Sequence, residues 1–281
     1  MTIEVTILGS GDAFGTPKPG CKVNACVAKT QFNKRSRFSV LIRANGRTIL
    51  VGTAPEISQQ FLREGLALSE VDNILLTHIH YDQTGGLGEF DGIGNRPPVK
   101  LFCDQGVLAE INTYFKFLFE KNRLNVNLLE ANQKLVSDDF VVTPFQVNHF
   151  KCPCLGFRLE IDGKVIVIAA DTNADLSPSS LELMKDADLL VLDGMAESNR
   201  EILLTKRDLS GRSEAEFNAT VNPNKRGHML IPEAVELSKK LSPKKTILSH
   251  ISHYNASHEE MQAKYETKNL LISFDGMKIK L

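Results

Sequence analysis

Apolar positions along this chain fall into short runs of strand length, broken at intervals by longer stretches with helical spacing. Residues 1–8 alternate as a strand does. Runs rich in β-branched and aromatic side chains at 38–43 and 47–51, joined through Asn45-Gly46, predict a hairpin. Residues 55–64 predict a helix, with Pro55 in its first turn and Gly65 at its end. A short buried strand follows at 74–76. Residues 104–119 predict one helix whose Val107, Leu108, Ile111, Phe115 and Leu118 keep core spacing. The second half repeats the plan. Strands are expected at 140–147, at 155–161 and 164–169 joined through Asp162-Gly163, at 189–192 and at 246–248, with helices at 180–187 and 232–241. Two halves of this kind predict an α/β fold of two sheets packed face to face with helices outside. No low-complexity linker interrupts the chain, so 1–281 reads as a single domain, with the polar stretch 197–227 as a lid or insertion.

Chemistry gathers where strands end. The strand at 74–76 runs into Thr77-His78-Ile79-His80-Tyr81-Asp82-Gln83-Thr84-Gly85-Gly86, which offers two imidazoles and a carboxylate within five residues. Nitrogen and oxygen donors together suit zinc, manganese or iron. A polar loop with chance histidines is the competing reading, but only seven histidines occur in the chain, and His149, Asp171 and His250 follow other strands in the same way.

Composition narrows the classes. Lys and Arg number 33 against 34 Asp and Glu, a net charge of −1, which argues against a dedicated nucleic-acid binder. The N-terminal segment has neither a basic region nor a long apolar core, so no signal peptide is expected, and no apolar run reaches membrane-spanning length. Five cysteines suggest reduced thiols or metal ligands in a cytoplasmic protein. The loop from Gly9 to Gly15 allows close backbone approach but lacks the Gly-Lys-Ser/Thr of a phosphate-binding loop. Cys21 and Cys26 are too few for a zinc site alone. Cys103 reads as core, as do Cys152 and Cys154, although the last two stand near enough to His149 to redirect a metal.

The run Thr77 to Asp82 with His149, Asp171 and His250, in that order, resembles the metallo-β-lactamase superfamily over nearly the whole chain. Gly9 to Gly15, Gly20-Cys21, Pro153-Cys154-Leu155-Gly156-Phe157, Gly227-His228 and Leu248-Ser249-His250-Ile251-Ser252-His253 are most similar to one branch of it. That branch holds the phosphoribosyl 1,2-cyclic phosphate phosphodiesterases of the carbon-phosphorus lyase pathway, close to tRNase Z. The resemblance implies an αββα four-layer sandwich with two divalent metal ions, zinc or manganese, at one edge of its sheets. His78, His80 and His149 would hold one ion; Asp82, Asp171 and His250 would hold the other, with Asp171 bridging. A hydroxide shared between the ions would be the nucleophile, Asp82 and His228 would carry catalysis, and His228 would protonate the leaving alcohol. Lys225, Arg226 and His228 would contact substrate, although the two cations also read as a solvated basic patch and His228 as a surface histidine before a helix. The fold often dimerises.

Three departures stand out. The family motif HxHxDH ends here in Gln83, a neutral and weaker zinc ligand, which implies a weakened second metal site. Val51-Gly52-Thr53 replaces Ile-Asp-Thr, removing a carboxylate that would orient ligands. The Cys-x-Cys-x-x-Cys zinc loop has Val23 at its middle position, leaving Cys21, Cys26 and His253 one ligand short of a structural zinc. The leading expectation is a metal-dependent phosphodiesterase acting on a small cyclic or ribose-linked diester. Lactone or thioester hydrolysis on the same scaffold is the second reading, and a catalytically weak phospho-ligand binder is another, prompted by Gln83 and Gly52. A tRNA-processing role ranks third, because the long arm of tRNA endonucleases is not evident.

Overall fold

In a computed structural model the described residues are 2–94, 96–200 and 226–281. Fourteen strands among them form two seven-stranded sheets. In chain order they are β1 (Glu4–Gly9), β2 (Ser39–Ala44), β3 (Arg47–Val51), β4 (Asn73–Leu75), β5 (Val99–Cys103), β6 (Leu124–Leu128), β7 (Leu135–Val136), β8 (Val141–His149), β9 (Cys152–Ile161), β10 (Lys164–Ala169), β11 (Leu189–Asp193), β12 (Thr246–Ser249), β13 (Leu270–Ile272) and β14 (Met277–Lys280). One sheet has the order β14-β1-β2-β3-β4-β5-β6 and the other β13-β12-β11-β10-β9-β8-β7. The described helices are α1 (Asn24–Val27), α2 (Ile57–Glu64), α3 (Tyr81–Thr84), α4 (Gln105–Tyr114), α5 (Lys116–Glu120), α6 (Pro178–Met184), α7 (Ile231–Leu241) and α8 (His258–Tyr265).

The two-residue period of the strands sorts their side chains into layers. Val40 and Ile42 on β2, Ile166 and Ile168 on β10, and Leu189 and Val191 on β11 face the core between the sheets. Their neighbours turn outward. Leu41 packs with Phe61 of α2 and Val107 and Ile111 of α4, while Val167, Leu190 and Leu192 pack with Met184 of α6 and Ile231 and Ala234 of α7. Strands covered on both faces read as continuous apolar runs, and the result is the expected αββα sandwich.

Two expectations need correction. The single helix at 104–119 is broken at Phe115, whose φ of −122° ends α4. On an uninterrupted helix Phe115 and Phe117 would point to nearly opposite sides. The break brings both rings against Gly88, where a Cβ would lie 3.6 and 3.8 Å from them. The sheets also do not divide cleanly between the two halves, because the C-terminal β14 pairs antiparallel with β1, Glu4 opposite Lys280. The lid assigned to 197–227 falls mostly outside the described residues, as does Lys225. No described helix is long and apolar enough to cross a membrane.

In each sheet the central strands run parallel: β3 with β4, β4 with β5, β10 with β11, and β11 with β12. Their carboxyl ends open at one edge of the sandwich, where loops supply side chains in open α/β sheets. The Gly9–Gly15 loop ties the sheets together there. Gly11 N–H donates to the Ser36 carbonyl at 2.8 Å, and Asp12 N–H to that of Ile251 at 3.2 Å.

Candidate metal centre

Three histidines from two sheets meet at this edge. His78 and His80 follow β4, and His149 closes β8. His78 Nε2 lies 2.9 Å from His80 Nδ1, and His149 Nε2 lies 3.0 Å from that same atom. His149 donates Nδ1–H to the Gly227 carbonyl at 2.9 Å, which leaves an Nε2 lone pair facing the other rings. Burial pushes the fully enclosed His78 ring down to about 3, against the field of Asp171, so it is neutral. Neutral imidazoles with a free nitrogen are the form that binds a divalent cation. With Zn–N distances of about 2.0–2.1 Å, the edge of a tetrahedral site is about 3.3 Å, within a few tenths of the separations found. Cys154 Sγ stands 3.4 Å from His78 Nδ1, and burial raises that thiol well above its ordinary range, so it supports the ring from behind as a neutral group.

Asp82, Asp171 and His250 form the adjoining group. His250 Nε2 is 3.0 Å from Asp171 Oδ1 and 3.5 Å from Asp82 Oδ2. Burial disfavours charge on all three. The opposed charges of Asp171 and His250 nevertheless hold that carboxyl well below, and that ring well above, their usual ranges. Asp171 and His250 both have left-handed backbones, φ 56° and 63°. Such conformations cost about 1–3 kcal/mol each and persist where surrounding structure over-determines them.

Gln83 departs from its assignment as a metal ligand. Its amide N–H donates to Asp171 Oδ2 at 2.9 Å and reaches Asp82 Oδ2 at 3.4 Å, while its oxygen is buried without a partner. The other family departure lies directly beside it. Gly52 has φ +73°, and a Cβ there would stand 2.7 Å from Gln83 Oε1. Gly52→Ala is therefore expected to lower stability by about 1–3 kcal/mol in urea titration. Part of that loss should disappear in a Gln83→Ala background, because neighbouring changes are non-additive.

His228 stacks on His250, with ring centroids 4.9 Å apart and 14° between planes, and sits 4.7 Å from His149. Its Nδ1–H donates to Asp193 Oδ2 at 2.8 Å. Asp193 was not read from the sequence, because the strand expected at 189–192 was ended at its last apolar residue. An apolar run ending in a carboxylate is the available signal, as it is for Asp171, and here a glycine follows. Asp12 was also missed. It lines the same cavity, accepts from Phe14 and Gly15 N–H through Oδ1, and has a second oxygen that is buried without a partner.

The substrate and structural-zinc assignments change. Arg226 is 4% exposed and turned into the fold, where it pairs with Glu233 and donates to Asn199 Oδ1 at 2.9 Å, so it does not face the cavity. No group of three potential ligands within 4.8 Å among the described residues includes Cys21, Cys26 or His253. With Val23 at its middle position that loop is expected to be one ligand short, and both ring nitrogens of His253 are buried without partners. The cavity holds about 230 Å³ and is rimmed by Phe14, Phe150 and Met195, with no Lys or Arg among its described lining residues.

Fold and comparisons together define the class to which the chain belongs. A beta-lactamase superfamily domain matches residues 47–251, and the chain belongs to that superfamily. It is 26% identical over 289 residues to an octanoyltransferase of Porphyromonas gingivalis, covering 98% of this chain and 52% of that protein, so it spans about half that relative's length. Ribonuclease BN of Proteus mirabilis is 23% identical over 290 residues, with 89% of each covered. A diphosphatase from the PhnP family superposes with a TM-score of 0.81 at 23% identity, covering 100% of this chain and 98% of that one. Zinc-bound PqqB of Methylobacterium extorquens gives 0.78 at 20% identity, covering 99% and 100%. These structural likenesses carry the fold.

Proposed function

We propose that the chain hydrolyses a small phosphodiester, using a divalent cation held by His78, His80 and His149. The observation that carries this reading is the His228–Asp193 pair set beside the three histidines. A cation bound there supplies Lewis acidity and lowers the pKa of a coordinated water to about 7. The chain's own residues do the rest. Asp193 accepts the His228 Nδ1–H and so supports the imidazolium form, whose second N–H, on the cavity side, delivers a proton to a leaving alkoxide. His149 is oriented by Gly227, and the Phe14 and Phe150 rings restrict water around the reacting group. A volume of about 230 Å³ suits a small substrate group.

A second reading, thioester or other acyl-ester hydrolysis, is favoured by the apolar rim and by the similarity to an octanoyltransferase over 98% of the chain. Parallel assays with bis(p-nitrophenyl) phosphate, a ribose cyclic phosphodiester and an octanoyl thioester separate the two. Phosphodiester turnover with no acyl turnover is expected, and the converse would establish the second reading. His228→Ala is expected to reduce turnover of an alkyl-leaving-group diester by about 100-fold or more with metal content unchanged. A drop in metal content would reassign His228 as a ligand.

A further inference from the structure

Both oxygens of Asp171 are already engaged by donors of the chain. His250 faces Oδ1 at 3.0 Å and the Gln83 amide donates to Oδ2 at 2.9 Å, and the same ring and amide approach Asp82 Oδ2 at 3.5 and 3.4 Å. A cation placed among Asp82, Asp171 and His250 would meet the Gln83 N–H donors on the carboxylate oxygens that would have to bind it. Gln83 has no freedom to move aside, being fully buried, and its other end fills the space that a side chain at residue 52 would need. Turning the amide end for end would set its oxygen against two carboxylates and send its N–H donors toward Gly52, which offers no side chain. The three-histidine cluster is different in kind. It presents convergent imidazole nitrogens and no amide between them, the three-ligand pattern that leaves one position open at catalytic zinc sites.

We infer that Gln83 takes the place of a second cation: the Asp82–Asp171–His250 group is closed by the Gln83 amide, and one divalent ion is carried at His78, His80 and His149. Gly52 and Gln83 are then one coupled change, since the amide occupies what the missing side chain vacated. The inference rests on the hydrolase reading for its three-histidine centre but concerns ion number, not substrate.

Elemental analysis of the whole chain, purified without chelator and again after equilibration with excess zinc or manganese and desalting, tests it. About one ion per chain is expected in both preparations. Gln83→His, which adds a ligand, and the near-isosteric Gln83→Glu, which turns the donor into an acceptor among two carboxylates, should each raise the count to about two. Either variant suffices if the other fails to fold, and thermal unfolding of the variant that takes up the extra ion should shift upward with zinc by more than the native shift. Two ions in the native chain would overturn the inference while leaving the hydrolase reading intact. Variants that stay at one would also overturn it, because Gln83 would not be what excludes the second ion. No ion in the native chain would overturn the inference and the hydrolase reading together.

Discussion

His80→Ala is expected to lower turnover by more than about 100-fold and to empty the three-histidine centre, with the fold retained. Of the three rings, His80 is the hub, since His78 and His149 both direct Nε2 at its Nδ1 from 2.9 and 3.0 Å. It is also the least enclosed of the three, so its removal leaves no large void in the core. Losing a group that merely orients a ligand costs about 10–100-fold in affinity or activity, and losing a ligand itself costs more. The decisive readout is paired: metal content by elemental analysis should fall together with kcat/KM, while the unfolding transition in the presence of chelator stays near that of the native chain. Turnover that survives with the metal lost would place the chemistry elsewhere in the molecule.

The parts of this centre that were legible in the sequence are those where local pattern and chemistry coincide. His78, His80, His149, Asp171 and His250 each lie within a few residues of the end of an apolar run of strand length, and the structure gathers all five at the edge formed by those strand ends. Asp193 obeys the same rule, but β11 runs one residue past its last apolar position, Leu192, to include it. Its partnership with His228 lies 35 residues away and depends on the adjacency of β10, β11 and β12, which no local pattern encodes. Arg226 misled for the opposite reason. A basic residue in a loop reads as exposed, but Glu233 and Asn199 meet it inside the fold. β14 went unread because the four residues Met277 to Lys280 alternate too briefly to signal a strand, and its pairing partner stands at the other end of the chain. The Gly52 and Gln83 departures could be counted from the sequence, but only the short distance between them in space shows that they belong together.

The pairing across that distance of 35 residues leads to the second large effect, in Asp193→Asn. Asp193 is fully buried and accepts four N–H donors: Oδ2 takes the Thr172 N–H at 3.1 Å and His228 Nδ1–H at 2.8 Å, while Oδ1 takes the N–H groups of Met195 at 3.0 Å and Met229 at 3.3 Å. An asparagine keeps the shape but has one accepting atom instead of two. Whichever way its amide is turned, two donors then meet an NH2 group. Each buried donor left without an acceptor costs about 1–3 kcal/mol, so a loss of about 2–6 kcal/mol is expected in urea titration. Asparagine also carries no charge to support the imidazolium that delivers the proton, and with its NH2 turned toward His228 Nδ1 it would oppose that form outright, which should reduce turnover by about 100- to 10,000-fold. The two losses need not travel together. Asp193→Glu retains both accepting oxygens on a longer arm, so it should disturb packing while keeping part of the activity that the asparagine abolishes. Equal activity in the native chain and Asp193→Asn, measured with an alkyl leaving group that requires protonation, would remove His228 from the proton transfer and leave Asp193 a structural role alone.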